Sequence, residues 1–503
     1  MIFAALNGMK MELPTPFTTY TRTLLGDEEA ELLFESLRQE QPVSIRLNRS
    51  KAGSGMLNSL TRVPWCDSGY YLDGRLTFTF DPLFHAGYYY VQEAASMFVE
   101  QVIRQYLGEA PAVMLDLCAA PGGKSTHVRG LLPEGSLLVA NEVIRNRSQI
   151  LAENLTKWGH PAVVVTNNDP SDFSSFVDFF DVILTDVPCS GEGMFRKDAV
   201  AVSEWSPENV EICWQRQRRI IADIWPCLKP GGILIYSTCT YNTKEDEENI
   251  RWIRDELGAD VLPLDVPAEW NITGNLLAGN DFPVYRFLPH KTRGEGFFLA
   301  ALRKPGTSAG NAWDEHSLAQ GLASVTPGLT NGKSRAKGRK AQGKGEQTPG
   351  LSKEQQSAFR QWLLDADEYE FILKNGSITA FPRRHLALLS LLQSSLRIVQ
   401  AGVAVATLKG KDWIPDHALA MTPALNPAAF PCEEVSYEQA IAYLRKEAIT
   451  LSDVASRGVV LLTYRQIPLG FVKNIGNRAN NLYPQEWRIR SGYLPEEVKL
   501  LME

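Results

Sequence analysis

Two cysteines stand where chemistry is expected, each just after an apolar segment with a strand pattern. Cys189 follows the segment ending at Asp186, and Cys239 follows a second one ending at Ser237. A structural cysteine is usually buried in the middle of an element, whereas these two lie where strands end and loops begin. Two thiols near the acid Asp186 predict covalent chemistry, with one nucleophile and one helper.

Methylation of carbon 5 of a cytosine is a reaction that needs two thiols and a nearby acid. The ring carbon is too weak a nucleophile to attack a sulfonium until a thiolate adds at carbon 6 and converts the ring into an enamine. An acid such as Asp186 would favour that addition by protonating or hydrogen-bonding the ring nitrogen. The adduct must then lose its carbon 5 proton and release the thiol, and a second cysteine is suited to that elimination.

Two other base-modifying chemistries do not fit the same loops. A zinc deaminase requires Pro-Cys-x-x-Cys and a His-x-Glu, but Pro188-Cys189 is followed by Ser190-Gly191-Glu192 and the chain has no His-x-Glu. An adenine amino-group methyltransferase would want Asn/Asp-Pro-Pro-aromatic, where this chain has Asp186-Val-Pro-Cys189. The seven cysteines include no Cys-x-x-Cys pair, so no metal is expected.

A turn with two glycines follows the first predicted strand. It comprises Cys118, Ala119, Ala120, Pro121, Gly122, Gly123 and Lys124. The glycines would let the backbone approach a ligand closely. The turn matches neither the dinucleotide nor the triphosphate fingerprint. By itself it is equally consistent with a tight connection between a strand and a helix.

Acidic residues at the ends of the next strands favour a ligand site over that alternative. Glu142 follows the second strand, Asp169 the third and Asp186 the fourth. Open parallel sheets bind ligands at the carboxyl ends of their strands, and an acid after the second strand accepts hydrogen bonds from ribose hydroxyls. Asp169 precedes Pro170 and is also a candidate helix cap.

The strands that position these groups alternate with helical segments. They are predicted at Val113–Leu117, Leu137–Asn141, Ala162–Thr166, Asp181–Thr185 and Ile233–Ser237. This alternation is typical of a parallel sheet with helices on both faces. Residues 111–304 are therefore predicted to form an α/β domain.

Different patterns flank this domain on both sides. Residues 1–110 combine a helix pattern (Glu28–Gln39) with strand patterns (Val43–Leu47 and Leu76–Phe80), which predicts a small α+β domain. Residues 355–503 predict a second α+β region. Its predicted helices are Lys353–Leu364 and Tyr437–Lys446, and its strands include Gly458–Thr463 and Leu469–Lys473.

Charge divides the chain near residue 305. The 503 residues carry a net charge of −7, made up of −11 up to residue 304 and +4 beyond it. The negative total argues against a protein that coats nucleic acid through bulk charge. Residues 305–354 are predicted to be a disordered linker. Their basic run, Lys333–Lys344, is either a solvated spacer or a non-specific RNA tether.

Three motifs, in this order, resemble those of the Nop/Sun RNA cytosine-5 methyltransferases. They are Cys118–Lys124, Asp186–Gly193 and Ser237–Tyr241, and the similarity extends over about residues 27–304. The segment Gly87–Met97 resembles the family's entry segment before the first strand. The resemblance implies a Rossmann-like class I S-adenosylmethionine-dependent methyltransferase fold.

The same resemblance assigns roles to the predicted site residues. It implies that S-adenosylmethionine is held by the Cys118–Lys124 turn together with Glu142, Asp169 and Asp186. Cys239 takes the role of nucleophile, because the family uses the thiol of its Thr-Cys-Thr/Ser motif. Cys189, in the Pro-Cys motif, takes the role of assisting release. DNA cytosine methyltransferases use the Pro-Cys thiol as nucleophile, so Cys239 distinguishes the two assignments.

The segment Gly476–Pro484 resembles the PUA-like tail of the bacterial RsmF-type members, which modify small-subunit ribosomal RNA. Aromatic and basic residues interleave around it, as they do on RNA-contacting surfaces. These residues are Tyr464, Arg465, Phe471, Lys473, Arg478, Tyr483, Trp487, Arg488 and Arg490. A solvated face over an ordinary core is the alternative.

Two functions are consistent with these features. The first is a cytosine-5 methyltransferase acting on 16S ribosomal RNA or the small subunit, with the target base unstacked or flipped. The second is an assembly factor that binds RNA and S-adenosylmethionine without catalysis, although a pure binder needs no paired thiols. The chain has no long apolar run and no secretory signal pattern at its start, so a cytoplasmic monomer without membrane association is expected.

Overall fold

The computed structural model describes residues 12–52, 59–307 and 353–502. The first eleven residues and the basic run Lys333–Lys344 of the predicted linker lie outside this range. Within it, no helix is both long enough and apolar enough to cross a membrane.

The N-terminal region is an α+β unit built on a three-stranded antiparallel sheet of order β2-β1-β3. Its helices are α1 (Thr15–Leu25), α2 (Asp27–Ser36), α3 (Pro82–His85) and α4 (Val99–Tyr106), and its strands are β1 (Val43–Leu47), β2 (Gly69–Leu72) and β3 (Tyr89–Val91). The predicted strand Leu76–Phe80 is wrong, because Phe78–Phe80 is a single 3₁₀ turn. Asp81 accepts a hydrogen bond from the backbone N–H of Leu83 and begins α3, so the chain turns before a ladder can extend.

The central region contains the predicted parallel sheet. Its strands are β4 (Val113–Asp116), β5 (Leu137–Asn141), β6 (Val163–Thr166), β7 (Phe180–Asp186), β8 (Leu228–Thr238), β9 (Asp260–Leu262), β10 (Tyr285–Phe287) and β11 (Phe297–Arg303). Its helices are α5 (Gly123–Leu131), α6 (Arg145–Trp158), α7 (Ala199–Glu204), α8 (Pro207–Ile224) and α9 (Glu247–Leu257). Strands β8-β7-β4-β5-β6 are parallel neighbours, so their carboxyl ends share one edge. The Rossmann-like α/β fold class is confirmed.

The C-terminal region contains two four-stranded sheets of order β12-β13-β15-β16 and β17-β18-β19-β20. Its strands are β12 (Tyr369–Lys374), β13 (Ser377–Pro382), β14 (Ile398–Ala401), β15 (Val403–Lys409), β16 (Asp412–Pro415), β17 (Cys432–Glu434), β18 (Gly458–Tyr464), β19 (Ile467–Asn474) and β20 (Ala479–Asn481). Its helices are α10 (Lys353–Gln361), α11 (Leu386–Ser395), α12 (His417–Met421) and α13 (Tyr437–Leu444).

Strand β14 leaves this region and pairs antiparallel with β6, which adds it to the edge of the central sheet. Leu388 and Leu392 of α11 accordingly share a core cluster with Val164 of β6. A second shared cluster joins Tyr89 of the N-terminal sheet to Tyr483. The three regions are therefore held together by common apolar cores as well as by the chain.

The interleaved aromatic residues near the C-terminus are mostly core residues. Tyr464, Phe471 and Tyr483 are buried, and Trp487 packs edge-on against His417 with ring centroids 5.3 Å apart. The exposed members of the set are arginines, namely Arg465, Arg478, Arg488 and Arg490. The predicted RNA-contacting surface is therefore wrong for these rings. Strand alternation turns Tyr464 in β18 and Phe471 in β19 into the interior, and Tyr483 packs in a core cluster.

Buried histidines make the fold sensitive to acid. Burial lowers the pKa of His85 and His127 to about 4 and that of His417 to about 3, from an ordinary 6.5. The unfolded chain therefore binds more protons below pH 6.5, so this contribution to stability is complete above pH 6.5 and falls as the pH drops toward 4. At pH 5.5 we expect each of these histidines to lower the free energy of unfolding by about 1.4 kcal/mol.

Urea unfolding at pH 7.5 and pH 5.5 measures this loss. His417→Phe is the matched control, because the ring packs against Tyr483 and Trp487 and neither of its nitrogens has a hydrogen-bond partner among the described residues. Between pH 7.5 and pH 5.5, we expect the free energy of unfolding to fall by about 1.4 kcal/mol less in the variant than in the wild type. Equal losses in the two proteins would contradict the assignment for His417.

Candidate active site

The shared carboxyl edge of the parallel strands opens onto a cavity of about 360 Å³. Eight of the residues predicted from sequence line it, namely Cys118, Ala119, Ala120, Pro121, Gly123, Lys124, Asp186 and Cys239. The loops after β4, β7 and β8 therefore meet around one space. The remaining predicted residues, Gly122, Glu142, Asp169 and Cys189, are placed next to it or further along the sheet edge.

The turn after β4 is held from two sides. Gly122 adopts a left-handed φ of 112°, which suits glycine, and it directly precedes α5. From the N-terminal sheet, the buried Arg46 donates hydrogen bonds to the carbonyl of Gly123 (3.3 Å) and the hydroxyl of Thr126 (2.6 Å). Residues of both the N-terminal region and the central region therefore hold the turn in its conformation.

Asp116, the last residue of β4, is a buried acid next to the turn that the sequence analysis did not single out. One of its carboxyl oxygens accepts a hydrogen bond from Ser125 (2.6 Å), and the other is buried with no partner among the described residues. Burial raises the pKa of Asp116 to about 7. An acid in an otherwise apolar strand was the available signal.

Lys124 and Asp186 form an ion pair in the cavity wall, with 2.9 Å between the ammonium nitrogen and a carboxylate oxygen. The other oxygen of Asp186 accepts a hydrogen bond from Ser237 (2.8 Å). Burial alone would lower the pKa of Lys124, but the charge and hydrogen bond of Asp186, with the charges of Cys239 and Asp116, raise that pKa overall. Lys124 also lies over the ring of Phe297, 5.1 Å from its centroid.

The two thiols are in contact, with 3.2 Å between the sulfurs of Cys189 and Cys239. Cys239 lines the cavity, whereas Cys189 lies against Cys239 and is not part of the cavity wall. The hydrogen bond to Cys239, burial and the charges of Cys239 and Glu245 together raise the pKa of the Cys189 thiol. The Cys189 thiol is therefore held in its protonated form, and Cys239 presents its sulfur to the cavity.

Glu142 and Asp169 follow β5 and β6, as predicted, but are engaged with the protein. Glu142 is buried, accepts a hydrogen bond from the backbone N–H of Ile144 (2.9 Å) and lies 3.4 Å from Arg147. Asp169 caps the 3₁₀ helix Pro170–Phe173, which is the alternative that its position before proline left open. Binding of a ligand by these two carboxylates remains a prediction.

Other cavity residues come from segments outside the parallel strands. The N-terminal region supplies Tyr90, Gln92 and Glu93, and the segment entering β11 supplies Glu295 and Phe297. For the three N-terminal residues, the resemblance of Gly87–Met97 to the family's entry segment is the only feature of the sequence that points to the site. Nothing in the local sequence marked Phe297, because β11 reaches the site by antiparallel pairing with β8.

Sequence comparison gives this geometry a context. The model of the family described as 16S rRNA methyltransferase RsmB/F matches residues 108–303. Models of the RsmF N-terminal domain and the RsmF PUA domain match residues 13–94 and 431–489. Ribosomal RNA small subunit methyltransferase F of Cronobacter sakazakii is 30% identical over 445 residues, which cover 86% of each chain.

The chain belongs to the RsmF-type Nop/Sun family of 16S ribosomal RNA methyltransferases. The methyltransferase F proteins of Aliivibrio fischeri and of Escherichia coli strain K12 are also 30% identical to it. They cover 86% and 87% of this chain and are themselves covered to 87% and 86%.

Two solved structures are similar in fold to part of this chain. A methyltransferase homologue from Pyrococcus horikoshii has a TM-score of 0.50 and 28% identity, over 58% of this chain and 96% of its own. NSun6 from the same organism, solved with SFG, has a TM-score of 0.50 at 22% identity, over 59% and 100% of the two chains, and supports the fold alone. As an RsmF-family member, the protein is an S-adenosylmethionine-dependent methyltransferase of small-subunit ribosomal RNA.

Proposed function

We propose that the protein methylates carbon 5 of a cytosine in 16S ribosomal RNA through a covalent adduct between Cys239 and carbon 6. The observation that carries this proposal is the thiol pair. Cys239 faces the cavity beside the turn after β4, and the sulfur of Cys189 lies 3.2 Å from it. Methylation of an amino group would require neither thiol.

The thiols divide the reaction between them. The Cys239 thiolate adds to carbon 6, carbon 5 takes the methyl group, the proton on carbon 5 is removed, and the bond from sulfur to carbon 6 breaks to restore the ring. Once Cys239 is bonded to the base it no longer accepts the hydrogen bond that raises the Cys189 pKa. The Cys189 thiol then gives its proton to solvent, and its thiolate takes the proton from carbon 5 while the bond between carbon 6 and Cys239 breaks and leaves the Cys239 thiolate.

The ion pair of Asp186 and Lys124 supplies the electrostatic part of the mechanism. Ser237 and Lys124 hold the Asp186 carboxylate at the cavity wall. A fixed negative charge there stabilises the protonated ring nitrogen that favours addition at carbon 6. Phe297 lies under the Lys124 ammonium in the same wall, so it helps to hold the lysine beside Asp186.

The residues around the turn fit S-adenosylmethionine. The partnerless oxygen of Asp116 and the acid Glu142 lie at the ends of β4 and β5, where class I sheets bind nucleosides. Gly123 lies against Tyr90, and a Cβ there would be 3.4 Å from the tyrosine ring. We propose that Cys118–Lys124, Glu142, Asp169 and Asp186 hold the cosubstrate, which supplies the electrophilic methyl group.

RNA binding is assigned to exposed arginines of the C-terminal region. Arg465, Arg478, Arg488 and Arg490 are exposed there, within or next to the part that matches the RsmF PUA domain. Exposed arginines bind phosphates without reading sequence. These arginines are therefore proposed to hold the RNA while the central region acts on the base.

In vitro methylation tests the proposal. The protein is incubated with labelled S-adenosylmethionine and either 16S ribosomal RNA or isolated small subunits, and the RNA is digested to nucleosides for mass spectrometry. We expect 5-methylcytidine in at least one arm. A labelled adenosine, an amino-methylated cytidine, or no methylation in either arm would contradict it.

A further inference from the structure

We propose that Glu192 is a positioning residue for methyl transfer, whose carboxylate fixes the loop of Cys239 against the loop of Cys189. This inference rests on the proposed function, since it explains how the two thiols are kept at their working separation. Glu192 lies three residues after Cys189 and is completely buried.

The contacts of this carboxylate are concentrated on the loop after Cys239. One oxygen accepts hydrogen bonds from the Thr240 hydroxyl (2.5 Å) and the backbone N–H groups of Tyr241 (2.6 Å) and Asn242 (3.1 Å). The other accepts from the Asn242 amide (3.0 Å) and the Trp205 indole (3.0 Å). Four of the five donors therefore belong to the three residues that follow Cys239.

The backbone of the Cys189 loop also binds the Cys239 loop directly. The backbone N–H of Gly193 donates to the carbonyl of Cys239 (2.7 Å), next to Glu192 in the chain. A Cβ at position 193 would lie 2.7 Å from that carbonyl oxygen, so the close approach requires glycine. The backbone N–H of Ser190 donates to the Glu245 carboxylate, which also accepts a hydrogen bond from the Asn242 side-chain amide. The same amide donates to Glu192. The two loops are thus joined on both sides of the thiols.

The hydrogen-bond donors of the loop after Cys239 stabilise the buried carboxylate of Glu192. The nearby buried arginines are engaged elsewhere, Arg196 with Glu295 and Arg286 with Glu247. A buried carboxylate is costly unless hydrogen bonds satisfy it, and here the donors that do so define the backbone around Cys239. Disordering the loop would leave the charge unsatisfied, so the carboxylate favours the one loop conformation that places the two sulfurs in contact.

Glu192→Gln tests this role. The amide has a similar shape but directs an NH₂ group at donors that need an acceptor. We expect kcat to fall about 100-fold with KM for RNA and S-adenosylmethionine changed less than about threefold, because a misplacement of about 1 Å affects the chemical step rather than binding. Glu100→Gln is the matched control, because Glu100 is equally buried but contacts His127 and Arg104 instead of the thiol loops.

A second readout needs no RNA. Diamide takes two hydrogens from a pair of nearby thiols and leaves a disulfide, so its rate of joining Cys189 to Cys239, followed by peptide mapping, reports how close the sulfurs lie. We expect this rate to fall at least about tenfold in Glu192→Gln and to be unchanged in Glu100→Gln. If Glu192→Gln does not fold, Thr240→Val, which removes one of the five donors, should show a smaller fall of the same kind.

Wild-type disulfide rates and wild-type kcat in Glu192→Gln would overturn the proposal. Equal losses in Glu192→Gln and Glu100→Gln would overturn it as well, because they would show only a general effect of a buried amide. If the wild type methylates no RNA, the proposed function fails, while the disulfide rates still decide whether Glu192 positions the thiols.

Discussion

Replacing Cys239 by alanine should lower kcat for methyl transfer to 16S ribosomal RNA by about 10⁴-fold or more, the scale expected when a covalent nucleophile is removed. The thiol faces the cavity beside the ion pair of Lys124 and Asp186, and no other described cysteine sulfur except that of Cys118 lines the same wall. Cys118 is a poor substitute, because burial and the charge of Asp116 raise the pKa of its thiol.

Single-turnover transfer of a labelled methyl group measures this effect. Cys432→Ala is the control, since Cys432 is exposed and lies in β17, outside the cavity. It should keep wild-type activity, and Cys239→Ala should still bind S-adenosylmethionine by calorimetry. Methyl transfer by Cys239→Ala within about tenfold of the wild type would exclude Cys239 as the nucleophile.

Replacing Cys189 by alanine should have a different result, in which the adduct forms but is released slowly. Its sulfur contacts Cys239 and is set back from the cavity, so addition to carbon 6 does not require it. Removal of the carbon 5 proton does, and loss of a general base slows a step by about 10²–10⁴-fold. We expect a protein–RNA band on denaturing gels that persists for hours.

The double variant Cys189→Ala/Cys239→Ala provides the control for that band. It should form no adduct, because the nucleophile is gone. A stable band from Cys239→Ala with Cys189 intact would instead exchange the two roles. Rapid release by Cys189→Ala would assign proton removal to another group.

The sequence predicts the parts of the site that depend on local pattern. The apolar runs at Leu137–Asn141 and Val163–Thr166 form strands at nearly the predicted residues, because buried parallel strands are continuous and hydrophobic. Because the carboxyl ends of these strands share an edge, the sequence predicts that Cys239, Asp186 and the glycine turn lie close together, and all three line the cavity.

Contacts between distant segments could not be predicted in this way. The hydrogen bond from Arg46 to Gly123 joins residues 77 apart, and β14 joins the central sheet from more than two hundred residues beyond β6. The Lys124–Asp186 pair depends on the side-chain rotamers of two loops. The burial of Tyr464 and Phe471 could not be predicted either. An aromatic residue in a strand can lie on the buried or the exposed face, and the local sequence does not say which face packs against the rest of the protein.

The most direct test of covalent catalysis is mass spectrometry of the trapped adduct. Cys189→Ala protein is incubated with S-adenosylmethionine and small-subunit RNA, digested with protease and nuclease, and the cross-linked peptide is sequenced. The mechanism predicts that the peptide contains Cys239, joined through sulfur to a cytidine that carries one additional methyl group. A modified residue other than Cys239, or a cross-linked base other than cytosine, would contradict it.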